Sequence, residues 1–149
     1  LGKADAGLDI HEKPYYEYRI LNHWDNLDDT VERGYAGLSM WEWTAKEIPT
    51  ERIHHYGELC ASVGLNGAVL NNVNANPLIL DKEHIERVAQ IANILREYGI
   101  TTYLSIKWTS PVTLDGLKSG DPLDPKVRQW WKNKAAEIYT AIPISAAFS

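Results

Sequence analysis

The sequence contains one cysteine, one methionine and one phenylalanine. A single cysteine, Cys60, cannot close a disulfide within the chain, and it excludes a metal site built from several thiolates. Cys60 lies in a stretch with helical spacing, where we expect a small buried residue.

Long apolar runs and clusters of basic residues are also missing. No run approaches the roughly 20 residues of a membrane-spanning helix, and the first residues lack the charged-then-apolar order of a secretion signal. Fifteen basic against 20 acidic side chains leave a net charge of −5, without the clustered lysine or arginine that phosphate binding needs. We therefore expect no nucleic-acid partner, no membrane partner and a cytoplasmic location, with secretion as the alternative if a signal precedes this sequence.

The length is short for one common fold. A chain of 149 residues with 44% hydrophobic side chains supports one compact domain. A (β/α)₈ barrel typically needs about 250 residues, so a complete barrel within this chain is not expected.

What the sequence does have is an excess of amphipathic aromatic residues. Six tryptophans and eight tyrosines stand against the single phenylalanine. Because these rings combine an apolar face with a polar edge, the excess favours a partly wet surface such as a sugar-binding cleft or an interface. The alternative is that several of them cap the core with the polar edge outward.

Strand-like stretches alternate with helical patterns, in the order β-loop-α repeated three times. We predict strands at 16–24, 66–72 and 100–106. The predicted helices are 51–62 with Thr50 as N-cap, 82–98 capped by Asp81, and Pro125 to about Tyr139 capped by Asp124. A linker over residues 1–14, a long loop at 25–49 and a loop at 107–123 complete the chain. Repeated βα units imply a parallel sheet with right-handed crossovers, closed either as a small doubly wound sheet or as part of a barrel. The tail from Ala141 begins what resembles a fourth strand.

Apolar spacing predicts the buried face of each of the first two helices. These faces are Ile53, Tyr56, Leu59, Cys60 and Val63 in the first helix, and Ile85, Val88, Ala89, Ala92 and Leu95 in the second.

Ligands of parallel βα folds gather at the carboxyl ends of the strands, and these places are polar and aromatic here. The three stretches are residues 22–26, 71–76 and 107–110, with the sequences NHWDN, NNVNAN and KWTS. Amides that donate and accept, together with a tryptophan face, suit the hydroxyl-rich rings of carbohydrates. The alternative for the asparagines is a purely conformational role in tight turns.

A glycoside hydrolase would need two carboxyl groups, and Asp25, Asp28 and Glu42 are the candidates by position. We expect Asp25 and Asp28 to fix the turn after the first strand. Glu42 stands between two tryptophans, which would raise its pKa by desolvation, or else it lies in a solvated loop. His54 and His55 are adjacent and cannot share one helix face as metal ligands.

Several longer motifs resemble the opening of the catalytic barrel in the family 67 α-glucuronidases. They are RILNHWDNL at 19–27, VERGYAG at 31–37, WEW at 41–43, ASVGLNG at 61–67, VLNNVNA at 69–75, and DPLDP at 121–125 before the paired tryptophans 130–131. They run in the same order and cover about residues 12–143.

The resemblance implies an exo-acting enzyme of xylan breakdown that releases 4-O-methyl-D-glucuronic acid from a xylooligosaccharide by inversion, without a cofactor or metal. Trp24 would then be a wall of the uronic-acid pocket, and Val73 would lie near the 4-O-methyl group. His23, Asn72 and Asn74 would be neighbouring pocket residues. Lys107 and Trp108 depart from the pattern of the family.

The same resemblance implies that the general acid and the base carboxylates belong to segments beyond residue 143. We therefore expect residues 15–149 to form the first three βα units and the start of a fourth strand of an incomplete (β/α)₈ barrel, with no catalytic residue and no activity alone. The alternative is a carbohydrate-binding or assembly module. Exposed strand edges also predict self-association, or complementation by the remaining barrel segments.

Overall fold

A computed structural model describes residues 11–32 and 37–142 and contains a three-stranded parallel sheet. The strands are β1 (Ile20–Asn22), β2 (Gly67–Val69) and β3 (Thr101–Tyr103), paired in the order β1-β2-β3. The helices are α1 (Thr50–Ser62), α2 (Lys82–Glu97), α3 (Ser110–Asp115) and α4 (Pro125–Ala141), with a 3₁₀ turn at Pro77–Leu80. The α/β prediction is confirmed, and the arrangement is compatible with part of a (β/α)₈ barrel.

Local sequence explains where the helices begin and end. The carboxylate of Asp81 accepts a hydrogen bond from the backbone N–H of His84 at 2.8 Å, and that of Asp124 accepts from Lys126 at 2.8 Å, as expected of N-caps. After α1 and α2, Gly64 and Gly99 take positive φ angles of 78° and 73° and turn the chain toward the next strand. The predicted cap at Thr50 is wrong, because α1 begins at Thr50 itself and Pro49 precedes it without a side-chain cap.

The core lies where α1 and α2 pack together beside the sheet. The largest fully buried apolar side chains are Trp41, Ile53, Leu70, Ile79, Leu80, Val88, Ile91, Leu95 and Val127. Each such side chain contributes roughly 1.5–3 kcal/mol by leaving water. Cys60 belongs to this core, as predicted.

The predicted inner face of α1 is partly wrong. Leu59 and Val63 are 64% and 67% exposed, whereas Ile53, Gly57 and Cys60 are buried. Gly57 is decisive, because a Cβ there would lie 2.4 Å from Cδ2 of Tyr98. The helix therefore presents its glycine backbone to an aromatic ring, and a count of apolar side chains does not reveal such a face. In α2 the prediction is confirmed except for Ala89, which is only half-buried.

The strands are shorter than predicted. Residues 16–19 do not join β1, since the guanidinium of Arg19 donates to the backbone carbonyls of Tyr16 and Glu17 at 2.6 and 3.2 Å and curls this segment. The predicted loop at 107–123 contains α3, which starts with a proline at its second position. The predicted fourth strand falls mostly on 143–149, and most of the predicted linker falls on 1–10, outside the described residues. None of the helices described in 11–32 and 37–142 is long and apolar enough to cross a membrane.

Candidate functional site

The loops that follow the three strands meet at one edge of the sheet. The hydrogen bonds between neighbouring strands continue beyond the ends of the strands. The N–H of His23 donates to the carbonyl of Val69, and the N–H of Leu70 donates to the carbonyl of Tyr103, both at 3.1 Å. Beyond them, the Asn71 amide pairs with the backbone of Ser105 in both directions. All three predicted polar stretches therefore start from this edge.

His23 lies on the inner side of the edge, against the core. Its Nε2 is 2.8 Å from the hydroxyl of Tyr56, and its ring meets Trp41 edge-on at a centroid distance of 5.1 Å. Burial lowers the pKa of His23, and the carboxylate of Asp25, whose Oδ1 lies 3.8 Å from Nδ1, opposes this only in part. Burial also raises the pKa of Tyr56. His23 is therefore held neutral in an aromatic cluster and supports the segment that carries Trp24.

Asp25 ties the loop after β1 to its neighbours. The buried carboxylate accepts a hydrogen bond from the hydroxyl of Ser39 at 2.7 Å, and its backbone carbonyl accepts from the N–H of Asn72 at 2.8 Å. Asp28 accepts from the N–H and the hydroxyl of Thr30, and these hydrogen bonds lower the pKa of Asp28. Both residues fix the loop after β1, as expected.

A second polar cluster joins the loops after β1 and β2, and its centre is Glu32. The Nδ2 of Asn74 lies 2.9 Å from each carboxylate oxygen of Glu32, and the Nδ2 of Asn72 donates to the same carboxylate. Asn72 also donates to Oδ1 of Asn26 at 2.9 Å and accepts the N–H of Asn74 at 2.9 Å. The turn 72–74 is thus hydrogen-bonded on both sides of Val73.

Trp24 and Val73 are linked through this same glutamate. The backbone N–H of Glu32 donates to the carbonyl of Trp24 at 3.0 Å, while its side chain holds the two asparagines that flank Val73. Trp24 is half-buried and Val73 is 53% exposed. An aromatic residue and a projecting apolar side chain are therefore attached to one hydrogen-bonded frame.

The loop after β3 adds an exposed aromatic residue. Trp108 is 65% exposed and packs edge-on against Trp131 at a centroid distance of 5.6 Å. Trp41 and Trp43, in contrast, are buried in the core. Trp108 is exposed, as expected of an aromatic residue on a wet surface. Trp41 and Trp43 do not cap the core with their polar edges outward, because their ring nitrogens are buried as well.

Glu42 lies in a solvated loop. Its side chain is 38% exposed and its Oε1 lies 2.6 Å from Nη1 of Arg52 in an ion pair. Within 11–32 and 37–142, no three histidine, cysteine, aspartate or glutamate side chains converge as metal ligands would.

The structure thus groups Asn72, Asn74 and Val73 with Trp24 and sets the ring of His23 apart, toward Tyr56. Sequence reasoning missed Glu32 as a member of the site. Its partners lie about 40 residues away in sequence, and its one available signal was its position in the VERGYAG motif.

Comparison with known proteins extends over nearly the whole chain. Residues 2–149 match the family model described as the glycosyl hydrolase family 67 middle domain. The chain is 40% identical over 144 residues to "Probable alpha-glucuronidase A" of Aspergillus terreus, covering 96% of this chain and 17% of that protein. It is 42% identical over 141 residues to "Alpha-glucuronidase A" of Emericella nidulans, covering 91% of this chain and 17% of the relative.

The chain therefore spans about a sixth of the length of these relatives. Both the family model and the relatives confirm the resemblance that the sequence motifs predicted. On this evidence the chain belongs to glycosyl hydrolase family 67.

Proposed function

We propose that this chain forms part of the catalytic barrel of a xylan α-glucuronidase and supplies one wall of its uronic-acid pocket. The observation that carries the proposal is the hydrogen-bonded frame that attaches both Trp24 and the Val73 turn to Glu32 at the carboxyl edge of the sheet. Ligands of parallel βα folds bind at this edge. The substrate is a xylooligosaccharide that carries 4-O-methyl-D-glucuronic acid.

The side chains at this edge suit the proposed sugar. The face of Trp24 offers an apolar stacking surface, and the exposed Asn74 offers an amide oxygen that accepts from hydroxyl groups while its NH2 group is bound to Glu32. Val73 presents methyl groups beside a 4-O-methyl substituent. Asn72 and His23 support these residues from the protein side of the edge, because Asn72 is buried and His23 is hydrogen-bonded to Tyr56.

In this proposal the carboxylates of Asp25 and Glu32 hold the loops at the edge of the sheet and take no part in hydrolysis. Inverting hydrolysis needs a general acid and a general base roughly 6.5–9.5 Å apart around a water molecule. Asp25 is committed to Ser39, and Glu32 to the amides of Asn72 and Asn74. We therefore assign the acid and base steps to residues outside this set, and expect these 149 residues by themselves to bind the sugar without hydrolysing the substrate.

Calorimetric titration with 4-O-methylglucuronic acid tests the binding proposal. We expect saturable, enthalpy-driven binding in the millimolar range and a loss of about tenfold or more in affinity for Trp24→Ala, since a stacking surface is removed. Tyr15→Ala removes an exposed aromatic residue that lies outside the loops after the strands, and it should leave binding unchanged. Absence of any heat above dilution at tens of millimolar ligand, which exceeds the range of such weak sites, would contradict the proposal.

A separate assay tests the expectation about hydrolysis. Incubation with aldotetraouronic acid should release no 4-O-methylglucuronic acid above a blank without protein. Release well above the blank would show that the chain itself carries an acid and base pair.

A second candidate function, assembly, rests on a different observation. A groove of about 360 Å³ runs beside β3 and is lined mainly by apolar side chains, among them Tyr103, Leu104, Trp131, Ile138 and Tyr139. Within the described residues β3 pairs only with β2, so its second edge faces this groove. We propose a second copy of the chain as the occupant. Sedimentation velocity should show dimers that grow with concentration, and a monomer at every concentration would exclude this function.

A further inference from the structure

We infer that Glu32 is a positioning residue that sets how the site discriminates between a 4-O-methylated and an unmethylated uronic acid. The inference rests on the proposed function for its ligand, but its structural part concerns the free protein. In this scheme Glu32 does not touch the sugar. It acts through the two asparagines on either side of Val73.

The geometry makes Glu32 an acceptor for two donors. The amide of Asn74 lies 2.9 Å from both carboxylate oxygens, and the amide of Asn72 donates to Oε2. Hydrogen bonds to a charged acceptor are about twice as strong as neutral ones. A carboxylate can serve both amides at once because it is purely an acceptor.

The turn between these amides carries Val73. The side chain of Val73 is 53% exposed, and its neighbours are tied to Glu32, to Asn26 and to each other. An exposed valine on an unsupported turn would lose its fixed direction. Held by the carboxylate, its methyl groups keep one position at the strand edge relative to Trp24, whose carbonyl binds the backbone of the same Glu32.

A fixed apolar side chain is what recognition of one methyl group requires. One methyl group in a well-packed pocket is worth about 1–3 kcal/mol, equivalent to about 10- to 200-fold in affinity. That gain is lost when the contacting side chain moves. Glu32 therefore governs the preference between the two sugars more than it governs binding of the sugar ring.

Glu32→Gln is the sharpest variant, because it keeps the shape and replaces one acceptor oxygen by a donor. The new amide then faces the donor of Asn74. Adding Asn74→Asp restores a donor–acceptor pair while the remaining oxygen of the glutamine still accepts from Asn72. Glu58→Gln, at an exposed position of α1, is the matched control.

The first measurement uses the free protein. Methyl order parameters of Val73 from NMR relaxation should fall in Glu32→Gln, return in the double variant Glu32→Gln/Asn74→Asp, and stay unchanged in Glu58→Gln. Unchanged order in Glu32→Gln would overturn the inference. If that variant fails to fold by circular dichroism, Asn74→Ala provides the same comparison from an exposed position, and Val73 must then lose order in it.

The second measurement is the ratio of affinities for 4-O-methylglucuronic acid and glucuronic acid. We expect this ratio to fall about threefold or more in Glu32→Gln and to recover in the double variant. An unchanged ratio despite a loosened Val73 would overturn the specificity role. If the unaltered chain binds neither sugar, the proposed function fails, while the order parameters still decide whether Glu32 positions Val73.

Discussion

The side chain of Asn71 forms a reciprocal pair of hydrogen bonds with the backbone of Ser105. Its Nδ2 donates to the Ser105 carbonyl at 3.1 Å, and its Oδ1 accepts the Ser105 N–H at 2.9 Å. A buried amide thus reproduces the pairing of a strand residue where the ladder between β2 and β3 ends. It also holds the loop after β3 next to the loop that carries Val73.

Asn71→Ala should destabilise the protein by about 2–3 kcal/mol, because it leaves both a donor and an acceptor of Ser105 unpaired. Urea denaturation followed by circular dichroism measures this free energy of unfolding. Asn93→Ala, at an exposed position of α2, should change it by no more than about 0.5 kcal/mol. Equal effects of the two variants would contradict the role given to Asn71.

Gly57→Ala should also destabilise the protein, although alanine is the better helix former by about 1 kcal/mol. The added Cβ would lie 2.4 Å from Cδ2 of the Tyr98 ring, and the Tyr98 hydroxyl is itself bonded to Nδ1 of His54 at 3.0 Å. Overpacking of this kind costs about 1–3 kcal/mol, which exceeds the gain in helix propensity.

The thermal unfolding midpoint checks this prediction. Glu58→Ala, on the next residue of α1 and exposed, should leave the midpoint nearly unchanged. A higher midpoint for Gly57→Ala would show that the Tyr98 ring moves aside at little cost.

The stability of the protein should fall as the pH drops below about 6.5, the ordinary pKa of histidine. Burial lowers the pKa of His23 in the folded state, so the unfolded chain binds the proton more readily. The contribution of neutral His23 is therefore complete above pH 6.5 and declines as the pH falls toward the lowered pKa.

Urea midpoints between pH 7.5 and pH 5 test this. The slope of the urea midpoint against pH should be smaller in His23→Gln than in the unaltered protein. It should be unchanged in His55→Gln, whose side chain is exposed. An equal slope in His23→Gln would mean that His23 does not contribute to the pH dependence.

Arg87 should be essential for the loop that carries the buried tryptophans. Its guanidinium donates to the carbonyls of Glu42 and Ala45, both at 2.8 Å, although the residue is almost completely buried in α2. Arg87→Lys keeps the charge but cannot span both carbonyls, so we expect a loss of about 2–4 kcal/mol.

Urea unfolding measures the stability. The total tryptophan emission, to which Trp41 and Trp43 contribute, should shift to the red in native buffer if the loop opens. Arg128→Lys, at an exposed position of α4, is the control and should leave both readings unchanged. A native emission spectrum with full stability in Arg87→Lys would refute the prediction.

The parts of the fold that the sequence predicts are those set by local chemistry. Asp81 and Asp124 predict the starts of their helices, because each carboxylate accepts a hydrogen bond from a backbone N–H only two or three residues away. Gly64 and Gly99 mark the helix ends for a similar local reason. The order of strands and helices follows from the same signals.

The parts that the sequence does not predict depend on distant partners. The inner face of α1 is set by Tyr98 against Gly57, and the length of β1 by Arg19. Within the site, the strand-end positions of Trp24 and Asn72 are predictable. The role of Glu32 is not, because its amide partners come from another loop, about 40 residues along the chain.

The order of the sheet has a consequence for how the chain folds during its synthesis. Among the described residues β1 pairs with β2 and β2 with β3, and the contacts that join the loops after β2 and β3 span 34 residues. A ribosome that adds about 5–20 residues each second exposes each partner within seconds of the previous one. The three described strands can therefore pair one after another in the direction of translation, because β2 and β3 each bind the strand that precedes them.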